Sequence, residues 1–461
     1  MINDVPDSDR PASASPTEEV LETETPGGSH SAGHDPYAAL RFPAYRRYAI
    51  GTTLSNLGQQ MQAAAVGWEV ALRSDKPALA ISMVGLVGAL PVILLALPAG
   101  HLADSLDRKK LTVITLLIGA LCSVGLAALS FCSGPLILMY VVLLLSGTIL
   151  AVGGPARSSL LTQVVPVSLY SNATTWASSC FQIASMTGPA LAGGIIRIQS
   201  VNFSSHSFPS LPLAYLLDAA CGICFASLLA GVSIRPTIRH GETASLQTLL
   251  AGIRFVRTNK IILATITLDL FAVLLGGATY MLPLYATKVL HVGAAGFGWM
   301  RAAPAIGAFG MALVVAHLPP MKKAGRNLLL AVTGFGVATI IFGVSRSFTL
   351  SLVMLILTGA FDNISVVVRH TLVQVLTPDS MRGRVSAVNN VFIGASNELG
   401  GFESGLAANI LGLTRSVVAG GIGTILVVMA VAGIWPQVRR FGSLADAKPI
   451  DEEMPVDAKL E

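Results

Sequence analysis

The chain has 461 residues, 53% of them hydrophobic and only 12% charged, with a formal net charge of +5. A soluble domain carries about 25% charged residues, so a soluble globular protein is excluded and a chain of many membrane spans remains. A mean hydropathy of +0.68 agrees. The five cysteines all lie inside apolar runs. They lack the spaced, polar surroundings of a disulfide framework or a zinc site, so no metal is expected. Cys221-x-x-Cys224 has the spelling of a redox pair, but three residues apart on a lipid-embedded helix they read as small packing residues. There is no G-x-x-x-x-G-K-[ST] loop and no catalytic constellation. Neither ATP-driven work, an enzyme, a cofactor nor a nucleic-acid partner is expected.

Residues 1–40 are rich in Pro, Ser, Thr and Glu and read as a disordered tail without a cleavable signal peptide. A bilayer core needs about 20 apolar residues per helix. On that scale six spans near 46–72, 78–102, 111–132, 136–156, 170–198 and 212–234 form a first bundle, 41–234. The connection is 235–260. Within it Leu246, Leu249, Leu250 and Ile253 follow helical spacing, with Arg254, Arg257 and Lys260 close by. That pattern predicts an amphipathic helix along the inner leaflet, with a plain linker as the alternative. Six more spans near 261–283, 294–318, 327–345, 349–370, 384–411 and 415–436 form a second bundle, 261–437, before a tail at 438–461 expected to be disordered. Gly and Pro interrupt many spans, which membrane helices tolerate because neighbours re-satisfy the backbone.

One repeat links the two bundles. Gly147, Arg157, Leu160, Pro166, Gly188 and Gly193 recur 212 residues later as Gly359, Arg369, Leu372, Pro378, Gly400 and Gly405. The expected fold is therefore an all-α membrane protein with 12 transmembrane helices in two pseudo-symmetric six-helix bundles. Such folds serve transporters that rock one half against the other around a central site. An even span count puts both termini on one side. Only seven of the 30 Lys and Arg, namely Arg73, Lys76, Arg197, Lys288, Arg301, Arg346 and Arg415, then fall on the other side or its helix ends. The positive-inside rule makes both termini cytoplasmic, in a cell (inner, cytoplasmic) membrane.

After the second span comes Gly100-His101-Leu102-Ala103-Asp104-Ser105-Leu106-Asp107-Arg108-Lys109-Lys110. Asp104 sits at a helix end beside three cations. A carboxylate there can meet a helix N-terminus or a cation of the other half and hold one face closed. The alternative is a basic anchor that fixes topology, which Arg108, Lys109 and Lys110 serve regardless. The counterpart loop with Lys322, Lys323 and Arg326 keeps the cations and has no acid. Arg157 and Arg369 each end a helix nine residues before a proline. They are either snorkelling anchors or cations that meet acids of the opposing half in one state.

The loop resembles the major facilitator superfamily loop G-x-L-A-D-r-x-G-r-k-k, with Asp107 standing where that family usually has Gly. The resemblance spans about residues 41–440. Gly188-Pro189-Ala190-Leu191-Ala192-Gly193-Gly194 is similar to the antiporter motif G-P-x-x-G-G of the exporter branches, with one residue more before the paired glycines. Gly400 and Gly405 are its second-half counterparts. The stretch from Met381 to Gly405, with Pro283-Leu284 and Ser345-Arg346-Ser347-Phe348, resembles the branch of enterobactin exporters and macrolide-efflux permeases. The R-x-x-Q-G of many proton antiporters is missing, since Leu143 holds the Arg position before Gly147. Proton coupling, if present, then falls to acids of the second half.

Ionisable groups inside spans are costly and are functional candidates by default. Asp362, Asp269 and Glu398 are the candidates for proton coupling. In the family's geometry, the first, fourth, seventh and tenth helices line the central cavity. Asp362 and Asp269 are accordingly expected along a water-filled path, with Glu398 at its wall. The alternative for each acid is a satisfied partner within the bundle. Asn56, Gln59 and Gln60 share one helical face and, with Asn363, are the candidates for substrate contact; interhelical glue of about 1 kcal/mol per bond is the alternative. Asp218 and Arg301 are read as reaching water near helix ends.

The function expected is secondary active, proton-coupled export of a small amphipathic molecule, siderophore- or drug-like, by alternating access. Import, uncoupled facilitated diffusion, lipid flipping and a non-transporting sensor or scaffold are the alternatives. The expected partners are the lipid bilayer, the small-molecule substrate and protons, and the protein is expected to be a monomer.

Overall fold

The computed structural model describes residues 35–198, 200–203, 206–232, 246–319 and 321–443. The first half runs α1 (Pro43–Arg73), α2 (Pro77–Ser105), α3 (Arg108–Phe131), α4 (Leu136–Val164), α5 (Tyr170–Arg197) and α6 (Ser210–Ala230). Proline opens α1 and α2, where its missing N–H costs nothing. A two-stranded antiparallel hairpin, β1 (Ser200–Phe203) and β2 (His206–Pro209), joins α5 to α6. Asp107 is the N-cap of α3, its carboxylate accepting from the backbone N–H groups of Lys109 at 2.9 Å and Lys110 at 3.1 Å. That explains an acid where a glycine is usual: its φ is −65°, and an Asp satisfies N–H groups a glycine leaves open.

The amphipathic α7 (Leu246–Thr258) precedes α8 (Lys260–Leu275). At Gly276-Gly277 the helix breaks into a single 3-10 turn at Ala278–Met281, the short α9 (Leu282–Leu284) and a π-helical turn at Tyr285–Val289. Then follow α10 (Gly293–His317), α11 (Ala324–Val344), α12 (Phe348–Leu376), α13 (Asp379–Leu411), α14 (Leu413–Ile434) and α15 (Pro436–Arg440). Nine segments among the described residues are long and apolar enough to cross a membrane. The helices α1, α5 and α13 are as long, at 31, 28 and 33 residues, but carry more polar side chains. Those polar residues include much of the candidate site.

Helix pairings repeat between the halves. In the first, α1 packs on α5 and α6, α2 on α4, and α3 on α4 and α6. In the second, α8 packs on α13 and α14, α10 on α12, and α11 on α12 and α14. Across the halves α2 meets α13 and α5 meets α10. Glycines set both cross-seams. A Cβ added to Gly193 would lie 2.8 Å from Gly298 Cα, and one on Gly298 2.9 Å from Gly193 Cα. On the other seam a Cβ on Gly85 would lie 2.7 Å from Phe402 N, and one on Gly405 2.6 Å from Ala78 O. Backbone touches backbone at these points, which only small residues permit.

The buried side chains divide into three main cores. One is shared: Met61, Trp68, Ile81 and Tyr215 pack with Met281, Tyr285, Phe297 and Met300, and the rings of Trp68 and Phe297 stack at 5.2 Å. It lies toward the end that carries Arg73 and Arg197. Within it Glu69, 2% exposed, accepts from Tyr215 Oη at 2.7 Å and Arg73 Nη1 at 2.8 Å. Toward the opposite end each half has a core of its own, with Tyr45, Leu160, Phe225 and Leu229 in the first and Ile262, Leu328, Leu372 and Val431 in the second.

Two expectations change. The apolar side of α7 is in part covered by protein: Val256 is buried with Val385 and Val388, and a Cβ on Gly252 would lie 2.8 Å from Arg384 O of α13. The side chains of Leu246 and Leu249 lie outside the described residues. The start of the final tail is also held. Val438 is fully buried, Phe441 packs on the same core, and the Ala324 N–H donates to Gly442 O at 2.9 Å.

Candidate functional site

A cavity of about 680 Å³ lies between the two halves. The first half lines most of it, through Asn56, Gln59, Gln60 and Gln62 of α1, Leu116 and Ser123 of α3, and Ile149 and Leu150 of α4. The second half contributes Tyr280, Phe297 and Arg301 on one side and Gly394, Asn397 and Glu398 on the other. The irregular turn after Gly277 is what turns Tyr280 onto α13. Its hydroxyl donates to Glu398 Oε2 at 3.3 Å, while the Arg301 guanidinium lies 5.7 Å over its ring and donates from Nη1 to Thr279 O at 3.1 Å. Glu398 also abuts the α2–α13 seam, since a Cβ on Gly88 would sit 2.5 Å from Glu398 Oε2.

The amides of α1 divide their donors between cavity and bundle. Gln60 Nε2 donates to Ser185 Oγ of α5 at 3.0 Å, Gln62 Nε2 to Ser123 Oγ of α3 at 2.9 Å, and Gln59 Nε2 to Ser55 Oγ at 3.3 Å. Ser123 in turn donates to Asp218 Oδ2 at 2.6 Å. Asp218 is 9% exposed, and with Arg301 it lines the cavity instead of reaching water near a helix end. Arg157 lines the same cavity. It sits 5.5 Å over the Phe225 ring, and Tyr48 Oη donates to its backbone carbonyl at 3.0 Å.

Asp269 and Asp362 stand apart from this cavity. With Phe335, Phe361 and Ser365 they line a pocket of about 20 Å³ inside the second half. There Arg369, 3% exposed, pairs with Asp269. Neither acid lines the large cavity; the Arg369–Asp269 pair joins α12 to α8 within the second half. Asn363 does not line the large cavity either, and its buried Oδ1 has no partner among the described residues.

Gly100 and Asp104 fall in the last turns of α2, and their surroundings lie outside the described residues. Lys109 serves its own half: Nζ donates to Ala230 O and Val232 O, both at 2.8 Å, which answers open carbonyls at the end of α6. Arg108 heads α3. The glycines divide by neighbour. Gly188 lets α5 approach α1, where a Cβ would lie 2.7 Å from Gln60 Cβ, and Gly400 lets α13 approach α8, 2.9 Å from Val273 O. Gly193 and Gly405 sit on the seams between halves, Pro189 O on the α10 side of the same seam, and a Cβ on Gly194 meets nothing among the described residues.

Sequence reasoning missed Asp218, Arg301 and Tyr280. The first two carried the same signal as Glu398, an ionisable group in an apolar run. Linear position gave their depth and not their direction.

The family model described as transmembrane secretion effector matches residues 34–460. The enterobactin exporter EntS of Escherichia coli O1:K1 is 23% identical over 406 residues, covering 87% of this chain and 93% of that protein. Among solved structures, a bacterial homolog of the human lysosomal transporter Spinster, in an inward-facing and occupied conformation, gives a TM-score of 0.69 at 14% identity, covering 88% of this chain and 99% of that one. A bacterial homologue of the iron transporter ferroportin in an inward-facing state gives 0.64 at 15% identity, covering 84% and 98%. These two likenesses are of fold.

Proposed function

Because the chain belongs to the transmembrane secretion effector family of the major facilitator superfamily, we propose that it is a proton-coupled exporter of a small amphipathic molecule, siderophore- or drug-like, with 12 spans and both termini in the cytoplasm. It is a multi-pass membrane transporter with the fold of that superfamily. The cavity between the halves is the observation that carries the finer reading. Amides, charged groups of both signs and apolar side chains line one space of about 680 Å³, a size and mixture that suits an amphipathic small molecule.

Three arguments support alternating access with export. The halves share a core at the Arg73 end and keep separate cores at the other, so opening and closing need only repack the shared part. With cytoplasmic termini, the end with separate cores faces the cytoplasm, where an exported molecule enters. The similarity to an enterobactin exporter supports the outward direction. For the coupled proton we assign Glu398, because it touches both the cavity and the seam. A carboxylate there changes charge where the halves meet, so its protonation acts on the equilibrium between the two states. Asp269 is assigned to holding Arg369, and Asp362 shares the pocket of Asp269.

The test uses inverted membrane vesicles with an imposed pH gradient and a panel of siderophores, macrolides and cationic dyes. One compound is expected to collapse the gradient with the wild type and not with Glu398→Gln. Accumulation of a labelled compound with no proton movement would make the protein an uncoupled facilitator. Equal proton flux in Glu398→Gln would move coupling to another acid.

A further inference from the structure

We infer that Arg157 is the receptor for an oxyanion on the transported molecule, so that the cavity accepts amphipathic anions, carboxylates above all. The inference rests on the reading of the cavity as the transport site. Four charged side chains line that cavity: Arg157, Asp218, Arg301 and Glu398. Three have polar partners within the protein. Asp218 accepts from Ser123 and is turned against α1, where a Cβ on Gly58 would lie 2.6 Å from its Oδ1. Glu398 accepts from Tyr280, and Arg301 donates to Thr279. The Arg157 side chain has neither a hydrogen-bond acceptor nor an ion pair among the described residues, and its buried Nε is unanswered.

A guanidinium stays protonated in proteins and carries five N–H donors in a fixed fork. The Arg157 side chain is half-buried on the cavity wall, where Asp218 is the acid that acts on it electrostatically without a hydrogen bond, so its donors are open to an acceptor that enters the cavity. The guanidinium carbon lies over the Phe225 ring and Nε is buried, which leaves the two terminal nitrogens as the donors for a ligand. Those two N–H groups can bind a carboxylate in two parallel hydrogen bonds. The ring beneath is fully buried, and Tyr48 fixes the backbone of Arg157. The fork is therefore held in place before any ligand arrives, which lowers the cost of binding.

The internal repeat supplies a comparison within one molecule. The counterpart of Arg157 is Arg369, which is paired with Asp269 inside its own half. At the same offset from Asp269 the first half has Leu57. One inherited arginine thus has its carboxylate built in, and the other lacks it and opens on the cavity. Leu116, Ile149, Leu150 and Phe181 line the cavity alongside and suit an apolar body attached to the anion.

The test is thermal unfolding of the purified full chain in detergent with salicylate, an aromatic carboxylate, against salicylamide, its neutral analogue. A ligand that binds only the folded state raises the midpoint as its concentration rises. Salicylate is expected to raise it and salicylamide not. Arg157→Gln is expected to lose the salicylate shift, and Arg157→Lys, which keeps the charge without the fork, to show a smaller one. If Arg157→Gln does not fold, the wild-type-to-lysine difference carries the test. Equal shifts by both compounds, a full shift in either variant, or no salicylate shift in the wild type would overturn the proposal. No gradient enters this assay, so its failure leaves proton-coupled export standing. Conversely, a salicylate shift without proton flux in vesicles would count against export alone.

Discussion

Replacing Gly193 with valine is expected to stop transport and to drive the protein out of the conformation described above. The added Cβ would meet Gly298 Cα at 2.8 Å and Ala294 O at 2.6 Å. Both are backbone, so neither side chain repacking nor a rotamer change relieves the overlap. Overpacking costs typically about 1–3 kcal/mol, and each 1.4 kcal/mol or so changes a two-state ratio about tenfold. The penalty falls only on the state in which α5 and α10 touch, so it acts as a switch more than as a general destabiliser. The measurement is labelling of Phe297→Cys by a membrane-impermeant thiol reagent, in a background without the five native cysteines. Phe297 is 1% exposed in the shared core, so it is expected to stay unlabelled with Gly193 and to label with Gly193→Val. Unchanged labelling together with retained transport would mean that the seam is not what closes this end.

The second large effect concerns stability. Asp269→Leu is expected to cost about 3–5 kcal/mol, because it leaves Arg369 buried and uncompensated. The double variant Asp269→Leu/Arg369→Met is expected to recover most of that loss, since an apolar pair of similar volume avoids the desolvation of both charges. Thermal unfolding in detergent reads both. Asp362 shares the pocket, and Asp362→Asn is expected to cost much less, as Asp269 holds the ion pair. If Asp362→Asn is as damaging as Asp269→Leu, the arginine is answered by both acids jointly.

What the sequence made legible follows from what each signal encodes. Composition and run length gave the long helices, because the bilayer imposes one length and one chemistry on them. The 212-residue repeat foreshadowed the recurring helix pairings, and the motif glycines marked where helices touch. Rotation about each helix axis was not legible. Asp362, Asp269, Glu398, Asp218 and Arg301 all present the same linear signal, an ionisable group among apolar neighbours. Which of them faces the cavity depends on partners more than 90 residues away, as Ser123 is for Asp218 and Tyr280 is for Glu398. The role of Asp107 was hidden for a related reason. Comparison with the usual glycine showed a departure without a reason, whereas the φ of −65° needs no glycine and the carboxylate caps a helix. Likewise the periodicity of α7 marked an apolar face without saying whether lipid or α13 covers it.

The division into one shared core and two private ones bears on how the chain folds and comes apart. A single core would make the molecule melt as one unit. Here each half retains buried apolar side chains that owe nothing to the other half, while the shared core is an interface between them. Loosening that interface leaves two units with cores of their own, which is the condition for folding in sequence as the chain emerges and for unfolding in more than one step. It also means that a chain severed between α6 and α7 retains what reassembly needs, since each piece brings its own interior and one face of the joint.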